Sequence, residues 1–132
     1  MALTRTPTMR DLALVSVGGI IGAASRWSLV EATTSSNGEI AGSVLLANLI
    51  GCALLGVLTG RGLNPSTRLL LGAGFCGGLT TFSTFAVEVA NALRSGDTSG
   101  GIGYALLSVV CGLAVFGLGR RTSQTIARTR SC

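Results

Sequence analysis

The chain has 132 residues, of which 48% are hydrophobic and only 11% are charged, and its mean hydropathy is +0.63. This composition indicates a membrane protein, because the apolar residues form four blocks that approach the roughly 20 residues a helix needs to cross a bilayer. The blocks take up nearly the whole chain, which excludes a soluble catalytic domain or a nucleotide-binding domain.

Charge and cysteine content exclude two further kinds of site. Ten arginines against five acidic residues give a formal net charge of +5. The arginines lie at the ends of the apolar blocks, where they set topology and attract anionic lipid, so we do not predict a nucleic-acid site. The four cysteines show no C-x-x-C spacing and are interpreted as small packing residues rather than zinc ligands: Cys52, Cys76, Cys111 and Cys132.

The apolar blocks divide the chain into three parts. We expect an N-terminal segment at residues 1–11, a transmembrane domain at 12–118 and a basic polar tail at 119–132. The first block is treated as a retained helix rather than a signal peptide, because it is too long for one and three more blocks follow. The four spans are predicted at residues 12–30, 41–60, 69–93 and 102–118.

The first span carries Gly18, Gly22 and Arg26 at a spacing of four residues. Small residues at this spacing predict a face that allows another helix backbone to approach closely. Arg26 lies roughly 21 Å into the span at 1.5 Å per residue, which predicts a position near the far interface. There it either has a structural hydrogen-bonding role or attracts an anion.

The second span contains a single amide, Asn48, among apolar neighbours. A side-chain amide in lipid needs partners, so Asn48 either bonds across a helix interface or lines a pore. In the connection that follows, Asn64 and Pro65 predict the start of the third helix, with asparagine as the cap and proline in the first turn.

The third span has an unusual centre, in which glycines and hydroxyl residues replace large apolar ones from Gly72 to Phe85. We predict a break in the helix here. Unpaired backbone groups at bilayer depth cost several kcal/mol each unless they face protein, an ion or water, so the break indicates where something hydrophilic binds or passes. Phe82 and Phe85 share one helical face just beyond it. That spacing alone is typical of simple packing, but free carbonyls beside them could coordinate a cation.

The fourth span places Tyr104, Ser108 and Gly112 four residues apart on an otherwise apolar helix. Such a polar stripe either forms interhelical hydrogen bonds or lines a pore, and the pattern does not decide between them. Beyond Gly119 the sequence is rich in Arg, Ser and Thr, which predicts a frayed tail.

Three motifs together resemble a known family. They are Gly18-Gly19, Gly22-Ala23 and Arg26-Trp27 in the first span, Asn48 to Gly51 in the second, and GFCGGLTTFSTF from Gly74 to Phe85 in the third. They are similar to those of the small fluoride channels of microorganisms, the CrcB or Fluc family. The last motif is long and chemically unusual, and the likeness covers most of the chain.

The resemblance implies an all-α membrane protein in which two four-helix subunits form an antiparallel dimer with two pores. It also implies a structural sodium ion at the dimer centre, bound by backbone oxygens of the broken third helix at Gly77 and Thr80. The matching pore positions are Asn48, Phe82, Ser83, Phe85, Tyr104 and Ser108. One position departs from the pattern, because Val44 stands where the family usually has a threonine; it follows Ser43, whose hydroxyl is a candidate replacement.

The arginines are unevenly divided between the two sides of the membrane. With four spans, eight of them fall on the side of both termini, against Arg26 and Arg94 on the other. The positive-inside rule then predicts cytoplasmic termini and a single orientation. An antiparallel homodimer needs both orientations, so we expect a homologous partner subunit of opposite charge bias, with a homodimer as the alternative.

The function implied is passive fluoride efflux that relieves fluoride toxicity, with no enzyme chemistry. A non-conducting assembly subunit is the first alternative, which Val44 favours. The second is a small multidrug exporter, which needs a carboxylate in the middle of the first span. The acidic residues of that span, Asp11 and Glu31, are at its ends.

Overall fold

Helices make up almost all of the part of the chain that the computed structural model describes, residues 6–37 and 40–129. They are α1 (Met9–Asn37), α2 (Ile40–Gly60), α3 (residues 65–79), α4 (Phe82–Arg94) and α5 (Thr98–Thr129). Helix α3 is built from a first turn at Pro65–Thr67, a wide π-helical stretch at Arg68–Cys76 and a last turn at Gly77–Leu79.

Four segments are long and apolar enough to cross a membrane: Met9–Thr34, Ile40–Gly60, Pro65–Arg94 and Thr98–Ile126. The predicted fold class is therefore confirmed as an all-helical protein with four long apolar segments, as in a multi-pass membrane protein.

Helix α3 begins where the sequence predicts. The side chain of Asn64 accepts a hydrogen bond from the backbone N–H of Thr67 at 2.8 Å, and Pro65 occupies the first turn. Asparagine pairs one of the free N–H groups of the first turn, and proline has no N–H that needs a partner. The helix-start prediction is confirmed.

Helices α1 and α3 run in parallel and touch through glycines. A Cβ atom added to Gly18 would collide with the carbonyl oxygen of Leu70, and one added to Gly22 would collide with that of Phe75. From α3, Gly78 approaches the backbone of α1 just as closely. Because lipid supplies no hydrophobic force between helices, this close backbone contact is what holds them together. The predicted close-packing face of the first span is confirmed.

Helices α2 and α5 also run in parallel, and their contact explains why α5 is longer than predicted. A Cβ atom at Gly119 would crowd the carbonyl oxygen of Ala53, and one at Gly60 would crowd Ser123, which is buried. The residues after 118 thus pack on the end of α2, and the helix continues to Thr129 instead of fraying. Residues 1–5 and 130–132, with Arg5 and Arg130, lie outside the described residues.

Few large side chains are buried within the described part of the chain. The buried hydrophobic residues of the described part are Val44, Ala47, Cys76 and Leu79. Large apolar side chains instead cover the outside of the helices; Ile20 is 70% exposed and Leu113 is 69% exposed. An apolar surface of this extent suits lipid or a second subunit rather than water.

Candidate functional site

Two extended residues, Thr80 and Thr81, separate α3 from α4. Their backbone angles are φ −82°, ψ 157° and φ −143°, ψ 123°, far from helical values. Helix α4 begins directly afterwards because Thr81 caps it: the Thr81 hydroxyl oxygen accepts a hydrogen bond from the backbone N–H of Thr84 at 3.3 Å. Threonine is a preferred residue at this position for that reason.

Asn48 on α2 binds both backbone groups of Thr81. Its Oδ1 accepts from the Thr81 N–H at 2.8 Å, and its Nδ2 donates to the Thr81 carbonyl oxygen at 3.1 Å. The pair satisfies two backbone groups that the helix no longer satisfies. An amide nitrogen has two N–H groups, so one of them stays available after this bond. Of the two alternatives for Asn48, the interhelical bond is observed.

Arg26 on α1 holds the other extended residue. Its Nη1 donates to the carbonyl oxygen of Thr80 at 2.9 Å in a partly buried position. Helix α1 continues through residues 27–37, so Arg26 lies inside the bundle at the level of Thr80. Helix α1 extends beyond the predicted span, and the predicted position of Arg26 near the far interface stays a prediction. The anion-attracting alternative stays a prediction.

The carbonyl oxygen of Gly77 loses its helical partner at the same point. In a continuous helix the Thr81 N–H would donate to this oxygen, but here it donates to Asn48. The side of Gly77 is also open, since a Cβ atom built there meets no atom within 4 Å. A freed, accessible carbonyl is the kind of oxygen ligand that binds a cation at helix breaks in membrane transporters.

A groove of about 420 Å³ runs beside the extended residues. It is lined by six of the predicted site residues: Asn48, Gly77, Thr80, Phe82, Phe85 and Ser108. Cys52 and Cys76 line it as well, and no charged side chain is found among the described residues of its wall. The groove therefore brings the predicted sodium and pore positions together in one neutral, largely apolar depression.

Three aromatic rings form a row, and two of them, Phe82 and Phe85, line the groove. The ring centroids of Phe82 and Phe85 are 5.7 Å apart, and those of Phe85 and Tyr104 are 5.6 Å apart. Phe82 is 79% exposed, whereas the Tyr104 hydroxyl donates to the backbone oxygen of Ala41 at 3.2 Å. The row is thus attached to α2 at Tyr104 through this hydrogen bond. At its other end, Phe82 is exposed to a partner or to lipid.

The remaining predicted residues lie at the edge of this groove. Ser83, Tyr104 and Arg26 lie outside its lining but contact Thr81, Phe85 and Thr80, which belong to it. In the polar stripe of α5, the hydroxyl of Ser108 donates to the backbone oxygen of Tyr104 at 2.8 Å. Of the two alternatives for the stripe, the interhelical hydrogen bond is observed at Tyr104. Ser108 lines the groove, and whether it lines a pore stays a prediction.

Val44 belongs to the interior of the subunit. It is 1% exposed, and Ser43 beside it is also buried. The Ser43 hydroxyl lies 3.2 Å from the Thr34 hydroxyl on α1, so the candidate replacement for the missing threonine is already engaged with α1. The departure from the family pattern removes a hydroxyl from the packed interior of the chain rather than from the groove lining.

Thr81 is the residue that the sequence analysis missed. It belongs to the predicted motif but not to the predicted site residues, whereas its backbone is the centre of the hydrogen-bond network. A threonine between a glycine run and an apolar run is a helix N-cap signal, and this signal marks the first residue of α4 correctly. The amide that pairs with it comes from another helix, so no local pattern identifies that pairing.

Replacing Asn48 by alanine tests the network. In Asn48→Ala the N–H and the carbonyl of Thr81 both lose their partner, which should destabilise the subunit by about 1–3 kcal/mol. The measurement is thermal unfolding in detergent. Asn91→Ala is the matched control, because Asn91 is exposed at the end of α4. Equal midpoints for the two variants would show that the amide does not hold the extended residues.

Comparison with known proteins identifies the family. Residues 13–120 match the family described as CrcB-like protein, Camphor Resistance (CrcB). The Fluoride-specific ion channel FluC 2 of Rhodococcus jostii is 44% identical over 111 residues, which cover 84% of this chain and 96% of that protein.

Two further relatives agree with this. FluC 2 of Parasynechococcus marenigrum is 39% identical over 117 residues, covering 86% of this chain and 83% of its own. The Fluoride-specific ion channel FluC of Francisella tularensis is 36% identical over 117 residues, which cover 82% of this chain and 90% of that protein. Both the family match and these relatives span most of the chain, and we conclude that it belongs to the CrcB family.

Proposed function

We propose that the chain is a fluoride-selective ion channel that lets fluoride leave the cytoplasm passively. The observation that carries this proposal is the groove, which joins neutral hydrogen-bond donors and aromatic rings beside a pair of extended backbone residues. The names of its relatives support the choice of anion. The role is relief of fluoride toxicity, and the chain is not an enzyme.

The groove chemistry suits a small, strongly hydrated anion. The free N–H of Asn48 is a donor already fixed in position by the Thr81 bonds. The edges of the Phe82 and Phe85 rings carry partial positive charge and can face an anion. The Ser108 hydroxyl donates to Tyr104 and has to rotate away before it can donate to an ion. Neutral donors favour conduction, because an ion that is held weakly is also released.

Fluoride efflux from liposomes tests this function. We expect the wild-type chain to release fluoride and retain chloride, and Phe85→Ile or Phe82→Ile to lower the fluoride rate because an aliphatic side chain has no positive ring edge. A fluoride-sensitive electrode follows the release. Phe116→Ile on α5 is the control, since Phe116 is absent from the groove lining.

Two results would contradict the proposal. Unchanged flux in both groove variants removes the two rings from the pathway. No fluoride flux from the chain, either alone or together with a homologous partner subunit, removes the channel function; flux only with the partner favours the assembly-subunit alternative.

We further propose that a second, antiparallel subunit completes the site around a structural sodium ion. The exposed Gly77 carbonyl and the Thr80 carbonyl are the proposed ligands. Thr80 already accepts a hydrogen bond from Arg26, and its second lone pair is free for a cation. Among the described residues of one chain we propose these two oxygens as ligands, and a second chain would supply the others. Bound sodium supplies positive charge that compensates carbonyls without helical partners.

Sodium removal tests this assembly. Exchanging sodium for N-methylglucamine should lower the dissociation temperature of the purified dimer. The free energy that stabilises the dimer should fall by about 2.7 kcal/mol if sodium was present at a hundred times its dissociation constant. Size-exclusion chromatography after heating gives the dimer fraction. A dimer that is equally stable in both salts would exclude sodium as a structural ligand.

The charge distribution supports cytoplasmic termini. Six described arginines lie at the end of the bundle where α1 and α3 begin and α2 and α5 end: Arg10, Arg61, Arg68, Arg120, Arg121 and Arg128. Arg94 lies at the opposite end, near Asp97. Such an imbalance favours one orientation, so we propose a homologous partner subunit that inserts the other way, with a homodimer as the alternative.

Labelling of both termini from each side of the membrane tests the orientation. We expect tags at the two ends of the chain to be accessible only from the cytoplasm, because the arginine-rich end resists translocation. A version with Arg120 and Arg121 changed to glutamine should lose part of this bias. An even split of orientations in the wild-type chain would favour the homodimer.

A further inference from the structure

A second groove continues the first toward the arginine-rich end of the bundle. Its volume is about 550 Å³, and it is lined by residues from the end of α2 and the start of α3. Leu55 and Gly72 line both grooves, so the two meet at these residues. Because Gly72 has no side chain, the backbone of α3 leaves the junction open, and even an added Cβ atom would come no closer than 3.6 Å to Leu55.

Arg68 is the one charged residue among the described residues that line either groove. It is exposed, and it lies four residues before Gly72 in the wide π-helical part of α3. The other lining residues of the second groove are apolar apart from Thr59, whose hydroxyl donates to the backbone oxygen of Gly56 at 2.9 Å. A mobile anion in this groove would therefore meet the Arg68 charge first.

We propose that Arg68 is an anion-recruiting residue at the mouth of the pathway. This inference rests on the proposed channel function. A fixed positive charge raises the local concentration of a small anion and can increase its entry rate by tenfold or more at low salt. The position of Arg68 matters as much as its sign: it lies at the mouth rather than among the neutral donors around Asn48, so it attracts the anion without holding it where it must move on.

The predicted orientation gives the recruitment a direction. Arg68 lies at the end that the charge distribution assigns to the cytoplasm, which is the side from which exported fluoride enters. Arg61 is exposed at the same end but is not part of the groove lining. The two arginines therefore share a side of the membrane and differ in access to the groove.

The experiment measures fluoride efflux for Arg68→Gln, Arg68→Glu and the control Arg61→Gln. Liposomes of zwitterionic lipid are used at ionic strengths of about 0.01 M and about 1 M, where the screening lengths are roughly 30 Å and 3 Å. The added salt consists of impermeant ions. At low ionic strength we expect Arg68→Glu to slow efflux on the order of tenfold, with Arg68→Gln in between and Arg61→Gln near wild type. At high ionic strength the variants should converge on the wild-type rate.

The other outcomes overturn the inference in distinguishable ways. If the Arg68 variants lose the same fraction of the efflux rate at both ionic strengths, Arg68 has a structural role, because salt screens recruitment but not packing. An equal loss in Arg61→Gln indicates a general surface charge rather than a residue of the groove. A loss that occurs only when anionic phospholipid is added indicates a lipid phosphate on Arg68. If the wild-type assembly passes no fluoride at all, the channel function fails and this inference with it.

Discussion

The pair of hydrogen bonds between Asn48 and the backbone of Thr81 is the contact on which the rest of the site depends. It gives partners to a backbone N–H and a carbonyl that are outside any helix, at a depth where lipid offers none. It also diverts the N–H that would otherwise bond Gly77 and so frees that carbonyl. Since Phe82 is the first residue of α4, the same contact sets the position of the aromatic row.

Close packing of α1 on α3 gives the second support. The glycines of both helices let the backbones touch, and only at this short separation does the guanidinium of Arg26 reach the carbonyl of Thr80. The two extended residues are thus each held by one polar side chain from a different helix. A larger residue at Gly22 would push α1 away and weaken the Arg26 contact, even though Gly22 touches neither threonine.

Local sequence signals predict the elements but not the contacts between them. Hydrophobic blocks define the four spans, Asn64 defines the start of α3, and glycine spacing defines the face of α1. The depth of Arg26, the partner of Asn48 and the burial of Val44 depend on how far one helix is shifted along another. That register is set by close backbone contacts between distant residues, such as that of Gly60 with the end of α5. The same contacts explain why α5 continues beyond the predicted span.

Under the proposed channel function, the placement of Arg26 and Arg68 would make the anion pathway positive without capturing the ion. Arg26 donates a hydrogen bond to the carbonyl oxygen of Thr80 rather than into the groove. Its positive charge would still act on an anion through the low-dielectric interior, where electrostatic effects are strong. In the proposed pathway Arg68 would act from the mouth, where it is exposed and water screens it. Between the two arginines the groove lining is neutral. An anion in this pathway would therefore gain from both charges, while the donors proposed to contact it, led by the amide of Asn48, are uncharged and allow its release.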